Sequence, residues 1–133
     1  MDIKKLISSA FEAQDNSYSS YSSCKVGAAL LCKSGNIYNG CNIENASYSP
    51  SVCAERVAFF NAISNGEKDF CAIVIVGNNG KDEFFYPCGV CRQVMSEFCD
   101  GDFSVIVAKS EDEYKILSLS DLLPFRFGKE DVL

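Results

Sequence analysis

The sequence predicts an α/β domain whose sheet includes parallel neighbours, on three observations. Cys71–Gly77 is an unbroken β-branched apolar run of the kind found in strands buried on both faces. Phe103–Ala108 repeats that character, and Gly89–Cys99 between the two has helical spacing; strand, helix and strand in that order predict a right-handed crossover. Ile3, Leu6, Ile7, Ala10 and Phe11 fall on one face of a helix that precedes every strand. At 133 residues the chain reads as one domain over 1–133, able to bury roughly two-thirds of its unfolded surface.

Taken in order, residues 2–15 form the first amphipathic helix, with Asp2 placed to cap it. Asn16–Ser23, rich in Ser and Tyr, is a loop. Val26–Cys32 and Ile37–Cys41 flank Lys33-Ser34-Gly35-Asn36 and predict a β-hairpin. A loop containing Pro50 leads into a helix over Cys53–Asn65, with Val57, Ala58, Phe60, Ala62 and Ile63 as its apolar positions and Gly66 as its C-terminal cap. Asn78-Asn79-Gly80-Lys81-Asp82 is a loop, and Val90, Val94 and Phe98 mark one face of the helix that follows. Tyr114–Leu119 predicts an edge strand, Asp121–Leu123 a helical turn and Phe125–Leu133 a tail.

Charge and cysteine usage narrow the class. Twelve basic against eighteen acidic side chains leave a net charge of −6, which disfavours capture of a polynucleotide, whose affinity comes largely from Lys and Arg on phosphates. A small uncharged substrate fits better. No apolar run approaches the ~20 residues of a membrane helix, so no membrane partner is expected. Eight Cys in 133 residues, about 6%, fall below the density of a disulfide scaffold. With no signal-peptide pattern at the N-terminus, this places the chain in a reducing cytoplasm.

The chemistry concentrates in Cys53-Ala54-Glu55-Arg56 and Pro87-Cys88-Gly89-Val90-Cys91-Arg92. The chain has no His, so neither metal ligands nor a proton carrier can be imidazole. Cys88 and Cys91, three apart at the start of a helix, project their sulfurs to one side. Cys53 and Glu55, two apart, would diverge within a regular helix, so Cys53 belongs at the helix start with non-helical dihedrals. Three thiols and a carboxylate then make a three-ligand Zn²⁺ site with its fourth position open for a reactive water. A redox dithiol shares the C-x-x-C spacing, but has no use for a third thiol beside a carboxylate. A structural zinc module that binds a partner protein is a second alternative; it would draw a fourth ligand from Cys24, Cys32, Cys41, Cys71 or Cys99, none of which has paired spacing.

These residues resemble the small, homotetrameric cytidine deaminases across nearly the whole chain. The likeness is carried by Tyr21, Val26-Gly27-Ala28-Ala29-Leu30, Gly40-Cys41-Asn42-Ile43-Glu44-Asn45-Ala46-Ser47-Tyr48, the two cysteine motifs and Leu122-Leu123-Pro124. The resemblance implies a three-layer α/β/α fold with a five-stranded mixed sheet and one zinc per subunit on Cys53, Cys88 and Cys91. It implies Glu55 as proton shuttle, Asn42 and Glu44 on the ribose hydroxyls, and the backbone around Ala54 on the pyrimidine edge. Arg56 looks like the family residue that donates to the thiolates, offsetting the −1 that three thiolates leave on Zn²⁺. Phe127, Ala46 and Tyr48 would reach the site of a neighbouring subunit in a homotetramer with shared active sites. The implied activity is hydrolytic deamination of cytidine and 2′-deoxycytidine, in pyrimidine salvage.

Cys24 stands where the family usually has an aromatic, Val57 stands where Thr is common, and Phe125 competes with Phe127 for the aromatic of the tail. Asn45-Ala46-Ser47 fits the glycosylation pattern, discounted for a cytoplasmic chain. A sister deaminase acting on an antibiotic such as blasticidin S would share the zinc motif; Asn42-Ile43-Glu44-Asn45 favours a ribose instead.

Overall fold

The computed structural model describes all 133 residues. Along the chain run α1 (Ile3–Gln14), β1 (Lys25–Cys32), β2 (Ile37–Cys41), α2 (Ala54–Ser64), β3 (Phe70–Asn78), α3 (Gly89–Phe98), β4 (Ser104–Ser110), β5 (Glu113–Ser118) and α4 (Leu119–Leu122), with a 3₁₀ turn over Lys129–Asp131. The sheet order is β2-β1-β3-β4-β5. β3 and β4, joined through α3, are parallel, and every other pair is antiparallel, so the sheet is mixed.

The period of two along each strand sorts the core into two clusters, one per face. Ala29, Ala72, Val74, Val76 and Ile106 point to the side covered by Leu6, Ile7 and Ala10 of α1. Ala28, Leu30, Ile73, Ile75 and Val105 point to the other, where Ala54, Ala58 and Phe59 of α2 and Cys91 and Met95 of α3 cover them. Three layers result, α/β/α. Asp2 caps α1 by accepting from the Lys5 amide at 3.1 Å. At the other end of α2, Gly66 takes φ +92°, and the Gly66 and Glu67 amides return to the carbonyls of Ile63 and Ala62, closing the helix in a Schellman turn.

One close approach sets the position of α2. A Cβ at Gly40 would lie 2.3 Å from the Ala54 carbonyl oxygen and 2.4 Å from the Ala58 amide nitrogen, so only glycine lets β2 run this near the first turns of the helix. Element types and order follow the sequence expectation, with ends displaced by a residue or two; α4 begins earlier than predicted, at Leu119, because Ser118 and Asp121 form a capping box there.

Two helix faces differ from the expectation. In α2 the buried aromatic is Phe59, packed edge-on to Phe70 at 5.2 Å between centroids, while Phe60 points outward. In α3 the face turned inward carries Cys91, Met95 and Ser96, and Val90 and Phe98 are exposed. Val90 and Phe98 do follow a helical period, but the sheet takes the stripe one residue on, which carries Cys91.

Candidate metal centre and its cavity

The N-termini of α2 and α3 converge beside the sheet, and the three thiols meet between them. Cys53 and Cys88 are the N-cap residues, both with extended dihedrals, and neither side chain caps its helix. Cysteine at N-cap forgoes the usual Ser, Thr or Asp bond to the first-turn amides, which leaves the sulfurs free to face each other. Cys91 sits on the first turn of α3. Sγ of Cys53 is 3.7 Å from that of Cys88, which is 3.6 Å from that of Cys91. All three lie within 4.8 Å of one another. A tetrahedron with metal–sulfur bonds of ~2.3 Å has an edge of ~3.8 Å, so this spacing is that of zinc thiolates. It is far from the ~2.05 Å of a disulfide. No fourth Cys, Asp or Glu joins the group; Cys32 and Cys99 are buried in the core. The donor set therefore fits Zn²⁺ with one coordination position left to a non-protein ligand.

Charge around Cys53 favours its thiolate, whereas the hydrogen bond with Cys53 and burial raise the pKa of Cys91. The Cys91 thiol donating to Cys53 outweighs the burial of Cys53 and, with Arg56 and Cys88, holds the Cys53 thiol down to about 5. Two helix N-termini add partial positive charge at the same place. Nη2 of Arg56 reaches Cys53 Sγ at 3.5 Å. Burial works against the Arg56 charge, but its hydrogen bonds to Cys53 and Cys91 more than offset this and raise its pKa. Nε of Arg56 is buried without a partner, so the guanidinium is held by its other nitrogens alone. Glu55, in the first turn of α2 and only 4% exposed, has its carboxyl pushed up to about 7. Burial is the main cause and the Cys53 charge the second, against opposing contributions from its own backbone amide, Cys91 and Arg56.

A cavity of about 440 Å³ opens from this cluster, within the size range of small-molecule sites. Cys53, Ala54, Glu55, Arg56 and Cys88 line it, and so do Asn42 and Glu44. Asn42, 9% exposed, accepts from Ser17 Oγ at 2.5 Å and from the Val26 amide at 3.0 Å, and donates to the Cys24 carbonyl at 2.7 Å. Both lone pairs of its oxygen and one of its two N–H bonds are thus in use, and one donor remains. Glu44 accepts from the Tyr21 and Ser22 amides at 3.0 Å each and from the Ser22 hydroxyl. These bonds lower its pKa, with the Ser22 side chain the largest cause, and leave one acceptor site on an ionised carboxylate.

Three expected residues are not part of this cavity. Tyr48 is 78% exposed, Ala46 is exposed, and Phe127 is 62% exposed beside α3, where its carbonyl accepts from Gln93 at 2.8 Å and from the Ser96 hydroxyl at 3.4 Å. Phe125 is fully exposed with φ +53°. Conversely, Val52, Ile75, Phe85 and Tyr86 line the cavity beside Val26, and the sequence motifs place none of these four in the site. Phe85 and Tyr86 had a readable signal, since the segment that delivers Pro87-Cys88 to the metal must run along the wall of the site. Arg92, part of the second cysteine motif but given no role there, donates to the carbonyls of Pro87 and Leu122, both at 2.7 Å, and ties the start of α3 to α4.

The family profile described as "Cytidine and deoxycytidylate deaminase zinc-binding region" matches residues 1–107. A cytidine deaminase of Sporosarcina psychrophila is 44% identical over 132 residues, spanning 99% of this chain and 96% of that protein. The crystal structure of a cytidine deaminase from Burkholderia pseudomallei superposes with a TM-score of 0.86 at 41% identity, covering 92% of this chain and 97% of the other. A blasticidin-S deaminase of Bacillus cereus is more distant, 33% identical over 78% of this chain and 77% of that protein.

Proposed function

This chain belongs to the cytidine and deoxycytidylate deaminase family, and from that premise we propose that it hydrolyses cytidine and 2′-deoxycytidine to uridine and 2′-deoxyuridine with release of ammonia. The observation that carries the reading is a buried Glu55 beside three clustered thiols, in a cavity that also presents Asn42 and Glu44. Zinc held by Cys53, Cys88 and Cys91 supplies a Lewis acid that makes water a nucleophile near neutral pH. The chain's own residues do the rest. Glu55, nearly sealed from solvent, takes a proton from the attacking water and delivers it to ring N3 as the oxygen bonds to C4. It then passes the second water proton to the amino group, and the C4–N bond breaks to leave ammonia and the uracil ring. Arg56 and the two helix N-termini offset the surplus negative charge of three thiolates.

The ribose end is selective through what is already bonded there. Asn42 can only donate and Glu44 can only accept, so one hydroxyl would accept from the carboxamide and donate to the carboxylate. Arg56 is the only basic side chain lining the cavity and it is committed to the thiols, which favours a nucleoside over its 5′-phosphate.

The functional unit in this proposal is a homotetramer of single-domain chains, 1–133, with Ala46, Tyr48 and Phe127 completing a neighbour's site. The exposure of all three side chains, Tyr48 on a pocket adjoining the cavity through Ser22, Glu44 and Ser51, and the outward Val90 and Phe98 of α3 support it. A role in pyrimidine salvage in the cytoplasm fits eight cysteines that form no disulfide. No helix is long and apolar enough to cross a membrane. The test is loss of cytidine ultraviolet absorbance with zinc-loaded protein, run beside blasticidin S and 5-methylcytidine. Turnover of cytidine is expected; turnover of blasticidin S alone would transfer the chain to the antibiotic-acting branch, and none of any amine would end the enzyme reading.

A further inference from the structure

The segment between β3 and α3 carries a run of aromatic side chains beside the cavity. Its three consecutive rings, Phe84, Phe85 and Tyr86, have different surroundings. Phe85 lines the cavity, and its ring rests on Gly77: a Cβ there would lie 2.3 to 2.5 Å from three ring atoms. Gly77 falls on the same sheet face as Ile73 and Ile75, so the ring occupies the space a side chain at 77 would fill, beside Ile75. Val26 pairs directly with Gly77 across the ladder, which brings the ring near the start of β1, where Cys24 contributes only a short side chain to the cavity.

Phe84 is fixed separately. The Lys109 and Lys115 ammonium groups lie 4.6 and 4.7 Å from its ring centroid. Lys109 also meets Asp82 at 3.4 Å and Glu113 at 3.8 Å, and Lys115 donates to the Tyr86 hydroxyl at 3.3 Å. Strands β4 and β5 therefore hold the segment from behind while Gly77 seats Phe85 in front. A planar heterocycle entering the cavity meets a ring that is already placed, with little ordering left to be done on binding.

Resting on the reading of the cavity as a cytosine nucleoside site, we propose that Phe85 is the ring on which the pyrimidine stacks, a specificity-determining residue held by Gly77 beneath it and by the Phe84 clamp behind it. Stacking of this kind acts on ground state and transition state alike, so its loss raises KM and leaves kcat nearly unchanged.

The test compares wild type with Phe85→Leu, which keeps apolar bulk but removes the flat face, and with Phe85→Tyr, which keeps it. Each protein is assayed for kcat and KM with cytidine, for uridine Kd by isothermal titration, and for its thermal midpoint. For Phe85→Leu, KM and Kd are expected to rise together by roughly 10-fold or more, the usual scale for one base–aromatic stack, with kcat within about threefold. Phe85→Tyr should stay near wild type. Gly77→Ala, which displaces the ring while leaving Phe85 in the sequence, should raise the same two constants and serves as the second route if Phe85→Leu does not fold. Normal wild-type turnover with KM and Kd unchanged within twofold in Phe85→Leu and Gly77→Ala would overturn this inference alone. A wild type that neither deaminates cytidine nor binds uridine would overturn the deaminase reading and this inference with it.

Discussion

Arg56→Ala removes the one cation that touches the thiol cluster. Nη2 lies 3.5 Å from Cys53 Sγ, and opposite unit charges at that distance attract by about 5 kcal/mol at an effective dielectric of ~20. Much of that is returned, because the guanidinium is itself partly buried and its desolvation opposes the charged form. A net loss of about 1.4–2.7 kcal/mol, or 10- to 100-fold in zinc affinity, is the usual cost of an outer partner of a metal ligand. Competition for zinc against a chromophoric chelator at neutral pH measures it directly. Arg56→Lys should recover only part of the loss, since an ammonium keeps the charge but not the fork that reaches two sulfurs. Adding Cys53→His to Arg56→Ala replaces a thiolate by a neutral ligand and should also recover part of it. A zinc affinity within twofold of wild type in Arg56→Ala, or a double variant weaker than either single one, would refute charge compensation.

Three further outcomes are expected. Gly40→Ala drives a methyl group into the Ala54 carbonyl and the Ala58 amide, and should cost about 3 kcal/mol, lowering the midpoint of a thermal scan by roughly 10 °C; an unchanged midpoint would show that α2 can move off the sheet. Glu67 accepts from Asn36, Ser34 and Tyr38, and these bonds lower its pKa below 4.5. Its contribution to stability is therefore complete above that value and lost as pH falls through the lower folded pKa. Glu67→Gln should flatten this part of the acid unfolding profile, and an identical profile would count against it. In co-refolded mixtures of Glu55→Ala and Phe127→Ala chains, activity should exceed the sum of the separate variants, because some sites then combine Glu55 of one chain with Phe127 of another; no excess would make Phe127 a packing residue of its own subunit.

Much of the site could be read from residues alone because metal chemistry is local. Three thiols with a carboxylate two residues from the first demand two helix starts that face each other, and both N-caps are cysteines with extended dihedrals. Packing was less legible. In α2 apolar residues surround the whole helix, so nothing in the spacing separates Phe59 from Phe60; the sheet decides. In α3 the stripe Val90, Val94, Phe98 looks as good as Cys91, Met95, Cys99, yet a metal-facing Cys91 already requires the second to turn inward. The donor-only state of Asn42 was beyond the sequence, because it depends on the Ser17 hydroxyl and the Val26 amide, brought by two separate segments, both filling its oxygen.

The most direct measurement on the central claim is zinc content together with cytidine turnover in Glu55→Gln, which keeps the size of a side chain that is 4% exposed and removes its ability to accept and release protons. About one zinc per chain should remain, because the carboxylate is not among the three clustered donors. Turnover should fall by about 10⁴-fold, the upper end for a general acid–base group, since one residue carries every transfer. Loss of the metal, or turnover within tenfold of wild type with the metal in place, would contradict the assignment of Glu55 as the proton carrier.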